Sequence, residues 1–350
     1  MTDPYPLTFE PILKEKVWGG RRLERLGKPL EPGKRYGESW EIADLDATSA
    51  SGGGGGGAHS VIDRGPMAGH TIRDAIRLWN IDLLGPAGMA AARRLPGDEA
   101  DPAFPLLIKY LDAREHLSVQ THPSPAYAAA HPGAHLKTES WYVLDAERTT
   151  RPDGLAVDPC LFIGTRAGVT RDRFCDSIER GAITDHLQSH AALPGDCWTL
   201  PSGVVHALGA GVMVAEVQTP SDTTFRVHDW QTEYQRPDRA MHVEEALECM
   251  DFERGSDAPP RARGPGTVAS TPFYIMEHVE PGDARTLPPD ECTIIMVAGG
   301  EGELVSRDDG SEAARLPAGR TMLVPAVCAE SAMLRGGEDF AVLLIRVGPG

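Results

Sequence analysis

Gln120-Thr121-His122 closes a short apolar run, HLSVQTH. Residues two apart in a strand project from the same face, so an amide and an imidazole there can converge on one ion. Glu139 heads a later run, ESWYVLDA, and His206 stands in PSGVVHAL. Two imidazoles, one carboxylate and one amide carbonyl suit a borderline divalent cation, zinc first, with open positions for water or substrate oxygens. The chain has 12 histidines. Taken singly each reads as a surface or core residue, and only the set points to a metal.

The elements that must position these residues are strands. PLLIKYLDA (105–113), HLSVQTH (116–122), ESWYVLDA (139–146), CLFIGT (160–165), CWTLPSG (197–203) and VMVAEVQT (212–219) have strand length and composition and are bounded by Gly, Pro or Asp. Two stretches break that rhythm. Residues 71–94 space Ile72, Ile76, Leu78, Trp79 and Leu83 as an amphipathic helix, and 170–192 read as two short helices behind a Thr170 cap, broken at Gly181. Gly52 to Gly57 are six consecutive glycines with no Lys and Ser/Thr at a phosphate-loop offset, and read as a flexible surface insertion. ERGSDAPPRARGPG (253–266) reads as a linker, followed by a small all-β domain at 267–350 that contains TIIMVAGG, TMLVPA and FAVLLIRV.

The chain has 350 residues, about two domains' worth at roughly 150 each. Lys plus Arg is 34 and Asp plus Glu is 51, a net charge of −17, which excludes nucleic acid and anionic membrane as partners through the overall field. Hydrophobic residues are 41%, enough for a core, and no apolar run approaches the ~18 residues of a membrane span. The N-terminus shows neither basic nor apolar signal features. The six cysteines form no CxxC pair and read as reduced thiols, so the expected location is the cytoplasm. A monomer or weak homodimer is expected.

In seven stretches the chain resembles the type I mannose-6-phosphate isomerase family of metal-dependent cupins, short bacterial form. The stretches are KEKVWGG (14–20), GESWEIAD (37–44), FPLLIKYLDA (104–113), LSVQTHPS (117–124), LKTESWYVLDA (136–146), PGDCWTLPSGVVHAL (194–208) and EVQTPSDTTFRVHDW (216–230). The resemblance implies a mainly β fold of two cupin barrels with a helical insertion in the first. A catalytic barrel would occupy 1–252 and a metal-free one 267–350. It places the family's zinc ligands on Gln120, His122, Glu139 and His206, one ion per chain. It places catalytic roles on Lys137, Arg226 and Glu216, and a sugar-phosphate lining on Ser118 and Lys109. The expected reaction interconverts mannose 6-phosphate and fructose 6-phosphate.

That chemistry gives each residue type a reason. Moving a proton between C1 and C2 through an enediol develops negative charge on the substrate oxygens, which a dication and a permanently charged guanidinium stabilise. A carboxylate such as Glu216 or a lysine such as Lys137 can shuttle the proton. The plain alternative for Arg226 and Glu216 is an ion pair between adjacent strands. Phe225 and His228 stand where relatives often carry tyrosine, and the second barrel has only His278 and no ligand pair, so it is expected to hold no metal. His116, His131, His135, His186 and His190 are read as neighbouring or surface groups. Rival readings are another phosphosugar or free aldose as substrate, a non-catalytic sugar-binding cupin, and an iron oxygenase, which the Gln ligand disfavours.

Overall fold

The computed structural model describes residues 2–48, 55–95, 99–131, 133–253, 257, 260–280, 284–308 and 310–348. It is mainly β. An antiparallel seven-stranded sheet runs in the order Ile12–Gly20, Tyr36–Ile42, Leu107–Ala113, Val212–Gln218, Glu139–Ala146, Asp196–Leu200, Arg261–Arg263. Facing it is a five-stranded sheet of Leu187–Ala191, Cys160–Thr165, His206–Leu208, Val119–Thr121 and Phe225–His228. A second pair follows: a five-stranded sheet containing Tyr274–Val279, Ala341–Val347 and Thr293–Gly299, and a four-stranded one containing Glu301–Ser306 and Ala332–Gly336.

Strand alternation explains how these layers pack. In Val212–Gln218 and Leu107–Ala113 every residue is buried, so both faces of the sheet are covered. Met213, Ala215, Val217, Ile108 and Tyr110 point to a core shared with Tyr274, Met276, Ile294, Met296, Leu343 and Ile345 of the second half. Each large aliphatic buried there contributes roughly 1.5–3 kcal/mol. Val212, Val214 and Leu111 point the other way, into a separate cluster with Trp18, Trp141 and Trp198. Lys109 and Glu216 sit on that second face. Helices Arg171–Glu179 and Val243–Cys249 cover the outer face of the five-stranded sheet through Phe174, Ala246 and Leu247.

Residues 71–94 form two helices. Thr71 closes a capping box with Asp74 at the start of Ile72–Trp79. Ile81–Ala92 follows and is interrupted where Gly85 adopts φ 68° ahead of Pro86, which lacks the N–H a continuous helix needs. Their apolar faces enter the core shared with Ile345 and Val347, so this segment spans both halves.

One expectation is corrected, and two contacts reach across the regions read as linker and boundary. Residues 187–191 are a strand paired with Cys160–Thr165 after the short 3-10 turn Ile183–His186: Leu187 is buried, Ser189 and Ala191 are exposed, and Gln188 and His190 are half-buried. Within the expected linker, Arg261–Arg263 pairs with Asp196–Trp198, where Asp196 accepts from Arg261 at 2.8 Å. The N-terminal segment also crosses the expected domain boundary, since Leu7 and Leu323 exchange backbone hydrogen bonds at 2.8 Å. Of the glycine run, Gly52–Gly54 lie outside the described residues. Gly55 donates to Thr48 Oγ1 and Gly56 accepts from it. No helix among the described residues is long and apolar enough to cross a membrane.

Candidate active site

Two rows of cross-strand neighbours build the site. Across the seven-stranded sheet, Trp40 pairs with Lys109, Lys109 with Glu216, and Glu216 with Trp141. Across the five-stranded sheet, His206 pairs with Gln120 and Gln120 with Arg226. Register partners project from one face, so each row presents its side chains together. Both rows contribute to one pocket, joined by Ser118 and Lys137 and by Lys16 and Glu38 from the N-terminal strands. Gly37 matters here: a Cβ on it would lie 2.5 Å from the Trp18 ring that also lines the pocket.

His122, Glu139 and His206 come together one contact deeper, with one donor atom from each within 4.8 Å of the others. Glu139 Oε1 is 3.1 Å from His206 Nε2, and Oε2 is 3.5 Å from His122 Nε2. The outer ring nitrogens are held by backbone carbonyls, His122 Nδ1 at 2.9 Å from Thr223 O and His206 Nδ1 at 2.8 Å from Val204 O. This fixes both Nε2 atoms toward the carboxylate. The Gln120 amide is 3.5 Å from His206 Nε2, and its Oε1 accepts from Ser118 Oγ at 3.2 Å. All four side chains named as metal ligands are therefore adjacent.

The electrostatics set the charge of His122 and Glu139. Burial, reinforced by the Lys137 ammonium, pushes the His122 imidazole down to about 3, so it is neutral at physiological pH. For Glu139 burial works upward, but Lys137 and His122 outweigh it and hold the carboxyl well below its usual range. Lys137 Nζ lies 2.7 Å from Glu139 Oε2 and 3.2 Å from His122 Nε2.

The second row is a chain of charge. Glu216 accepts from Trp141 Nε1 at 2.9 Å and pairs with Lys109 at 3.1 Å, while Lys109 also donates to Gln218 at 2.7 Å. Burial alone would lower Lys109, yet Glu216, Glu38 and Glu139 hold it above the usual lysine value. Glu38 accepts from Trp40 Nε1 at 2.6 Å and pairs with Lys16 at 3.2 Å. Although burial opposes it, Lys16 and Lys109 pull Glu38 down to about 2.

Arg226 does not pair with Glu216, so the plain ion-pair alternative is corrected: the two stand on different sheets, and Lys109 takes the carboxylate. Arg226 Nη1 donates to Ala240 O at 2.8 Å, and its buried Nε has no hydrogen-bond partner among the described residues. Burial first, and Arg239 second, lower its guanidinium to about 10. A buried cation with no ion pair among the described residues is suited to an anionic ligand.

Residue-by-residue reading missed Lys16, Glu38, Trp40 and Arg239 as pocket residues. Lys16 and Glu38 alternate with buried aromatics in KEKVW and ESW, a same-face signal of the kind that exposed Gln120 and His122. Phe225 rests on Tyr127 at 5.2 Å and His228 on Trp230 at 4.9 Å. His116 accepts from Ala210 N–H at 2.8 Å, and His190 stacks on Trp198 at 4.7 Å. Neither joins the ligand group.

No protein-family model matches the sequence. The mannose-6-phosphate isomerase ManA of Bacillus subtilis is 34% identical over 252 residues, covering 70% of this chain and 68% of its own length. The mannose-6-phosphate isomerase of Streptococcus mutans is 30% identical over 310 residues, 85% of this chain and 86% of its own. The crystal structure of the Bacillus subtilis mannose 6-phosphate isomerase is similar at TM-score 0.73 and 25% identity, over 98% of this chain and 99% of that one. A mannose 6-phosphate isomerase bound with zinc and yttrium shares the fold at TM-score 0.64 and 16% identity, over 99% of this chain and 100% of that one. With that similarity running along most of its length, the chain belongs to the mannose-6-phosphate isomerase family.

Proposed function

We propose that the chain interconverts mannose 6-phosphate and fructose 6-phosphate with one zinc ion held by Gln120, His122, Glu139 and His206. The observation that carries this reading is the buried His122–Glu139–His206 group set beside Lys137, Glu216 and Arg226. The residues fit a dication. Glu139 is 1% exposed and needs positive charge, and the nearest source is the Lys137 ammonium lodged against two of the ligands. Two imidazoles and a carboxylate form a donor set that zinc accepts, and a relative of the same fold binds zinc. Bound zinc would supply Lewis acidity to the substrate oxygens.

The chain's own residues account for the rest. Arg226, short of partners, holds the phosphate or the developing oxyanion. Glu216 serves as the base that moves the proton between C1 and C2: Lys109 pairs with it, and Trp141 N–H fixes its orientation. Lys137 steers the sugar oxygens toward the ligand group, and Ser118 orients Gln120. The indoles of Trp18, Trp40 and Trp141 exclude water from the enediol. A cupin barrel for each pair of facing sheets, with the helical segments as insertions and the halves divided at about 253–266, completes the reading. It is supported by the separate interior cluster that each pair encloses. A cytoplasmic monomer or weak homodimer acting on a phosphosugar is in keeping with it.

The test is an assay of mannose 6-phosphate against fructose 6-phosphate with metal counted on the same sample, before and after chelation and zinc reloading. Activity should vanish with the metal and return with zinc. A fully active metal-free chain would overturn the reading, and equal turnover of free mannose would remove the phosphate requirement.

A further inference from the structure

A second cavity, about 700 Å³, shares no lining residue with the active-site pocket. Four arginines, Arg21, Arg22, Arg114 and Arg151, stand in its wall with Thr149 and Thr150. That concentration is unusual in a chain of net charge −17. Three carboxylates line it as well, but each is already engaged. Asp112 accepts from Arg22 through Nε and the backbone N–H, both at 2.7 Å. Glu115 pairs with Arg236 at 3.1 Å, and Glu147 lies 3.5 Å from Arg22 and 3.9 Å from Arg25.

The donors are in excess. Arg22 is nine-tenths buried and spends Nε on Asp112 and Nη1 on Gly211 O, leaving Nη2 without a hydrogen-bond partner among the described residues. Arg151 gives Nη2 to Asp153 at 2.6 Å, and its buried Nε has none. Arg114 is exposed and has no acidic partner among the described residues. A buried guanidinium N–H without an acceptor is costly, and two of them around one cavity call for an acceptor inside it.

We propose that this cavity is a second anion site that takes a phosphate group, as inorganic phosphate or as the monoester of a small metabolite. Guanidinium forks match phosphate oxygens in pairs, and the threonine hydroxyls add neutral donors. The cavity also adjoins the active site through shared packing. Tyr234 of its lining meets His116 edge-on at 5.6 Å, and His116 lies on Trp230 at 4.5 Å. Trp230 Nε1 donates to the carbonyl of Leu117, which lines the active-site pocket. On a parallel path, Glu115 holds Arg236, Arg236 reaches Asp229, and Asp229 clamps Arg239 of the active-site pocket.

Calorimetric titration of the full zinc-loaded chain with inorganic phosphate, and separately with phenyl phosphate, tests this. The Arg114→Ala/Arg151→Ala variant should bind one anion fewer per chain than the wild type, with unchanged kcat/KM for isomerisation in phosphate-free buffer. Arg114→Glu, at an exposed position where folding is not at stake, should weaken that same site by about ten-fold or more. Tighter binding of phenyl phosphate would assign the site to a monoester, and tighter binding of inorganic phosphate to the free ion. Wild-type stoichiometry and affinity in both variants would overturn the proposal.

Discussion

Each half of the chain encloses an interior between two antiparallel sheets, and the two interiors are opposites. The first buries Lys109, His122, Glu139, His206, Glu216 and Arg226, none more than 5% exposed. The second is filled by Leu287, Ile295, Val297, Leu304, Leu334, Phe340 and Leu344. The backbone plan is similar, so the difference lies in one residue parity. Residues 294–297 and 342–345 are apolar on both faces, whereas Leu107–Ala113 and Val212–Gln218 put Lys109 and Glu216 on the inner one. Lys109, Glu139 and Glu216 are paired with opposite charge, whereas Arg226 faces the pocket with no ion pair among the described residues. The first interior thus trades packing for a preorganised field, and the second supplies apolar packing on both of its faces.

Glu139→Ala should break that contrast most severely. It removes the only carboxylate of the ligand group, so zinc content should fall to background and turnover by about 10³-fold or more. Stoichiometric zinc in that variant would show the ligand set to be wrong. The matching change in the other half, His278→Gln, should leave zinc content untouched. Next in size is Glu216→Gln, which keeps shape and the Trp141 hydrogen bond but removes the base, so kcat should fall by about 10²–10⁴-fold with metal retained. Wild-type kcat would move the base to Lys137.

Phe340→Ala sharpens the contrast from the other side. Its ring is 1% exposed and packs where Gly302 and Gly336 leave room, so the cavity should cost about 3–5 kcal/mol in a denaturant titration. Zinc content should be preserved, and loss of the metal would mean that the halves are not separable in function. The smallest effect concerns acid. Burial, with Arg236 and Arg151 nearby, lowers His116 to about 3, against about 6.5 when unfolded. The unfolded chain therefore takes up a proton that the folded one refuses. This stability is fully present above pH 6.5 and is lost toward pH 3, by up to about 1.4 kcal/mol per unit. His116→Gln should flatten the slope, and an unchanged slope would exclude His116 as its source.

Much of the site was legible because its residues are close in register as well as in space. Gln120 and His122 are two apart on one strand, and Lys137 and Glu139 two apart at the head of another, so alternation alone groups them. Lys16 and Glu38 carry the same alternation but lie far upstream, and nothing local shows that Ile12–Gly20 and Tyr36–Ile42 border Leu107–Ala113. Strand 187–191 was misread as helix because LQSHA is short and polar, and its partner Cys160–Thr165 decided the matter. The four arginines of the second cavity are spread from residue 21 to 151 and form no motif.

By itself the sequence determined the strand-rich class, the residues of the His122–Glu139–His206 cluster, and the family to which those motifs belong, because strand periodicity and residue chemistry are local properties. Tertiary structure alone decided that Lys109, and not Arg226, pairs with Glu216, since the pairing depends on which strands become neighbours. It also decided that two interiors of like construction should differ, one charged and one apolar. That outcome depends on which face of each strand turns inward, and a strand buried on both faces leaves the choice to its partners across the sheet.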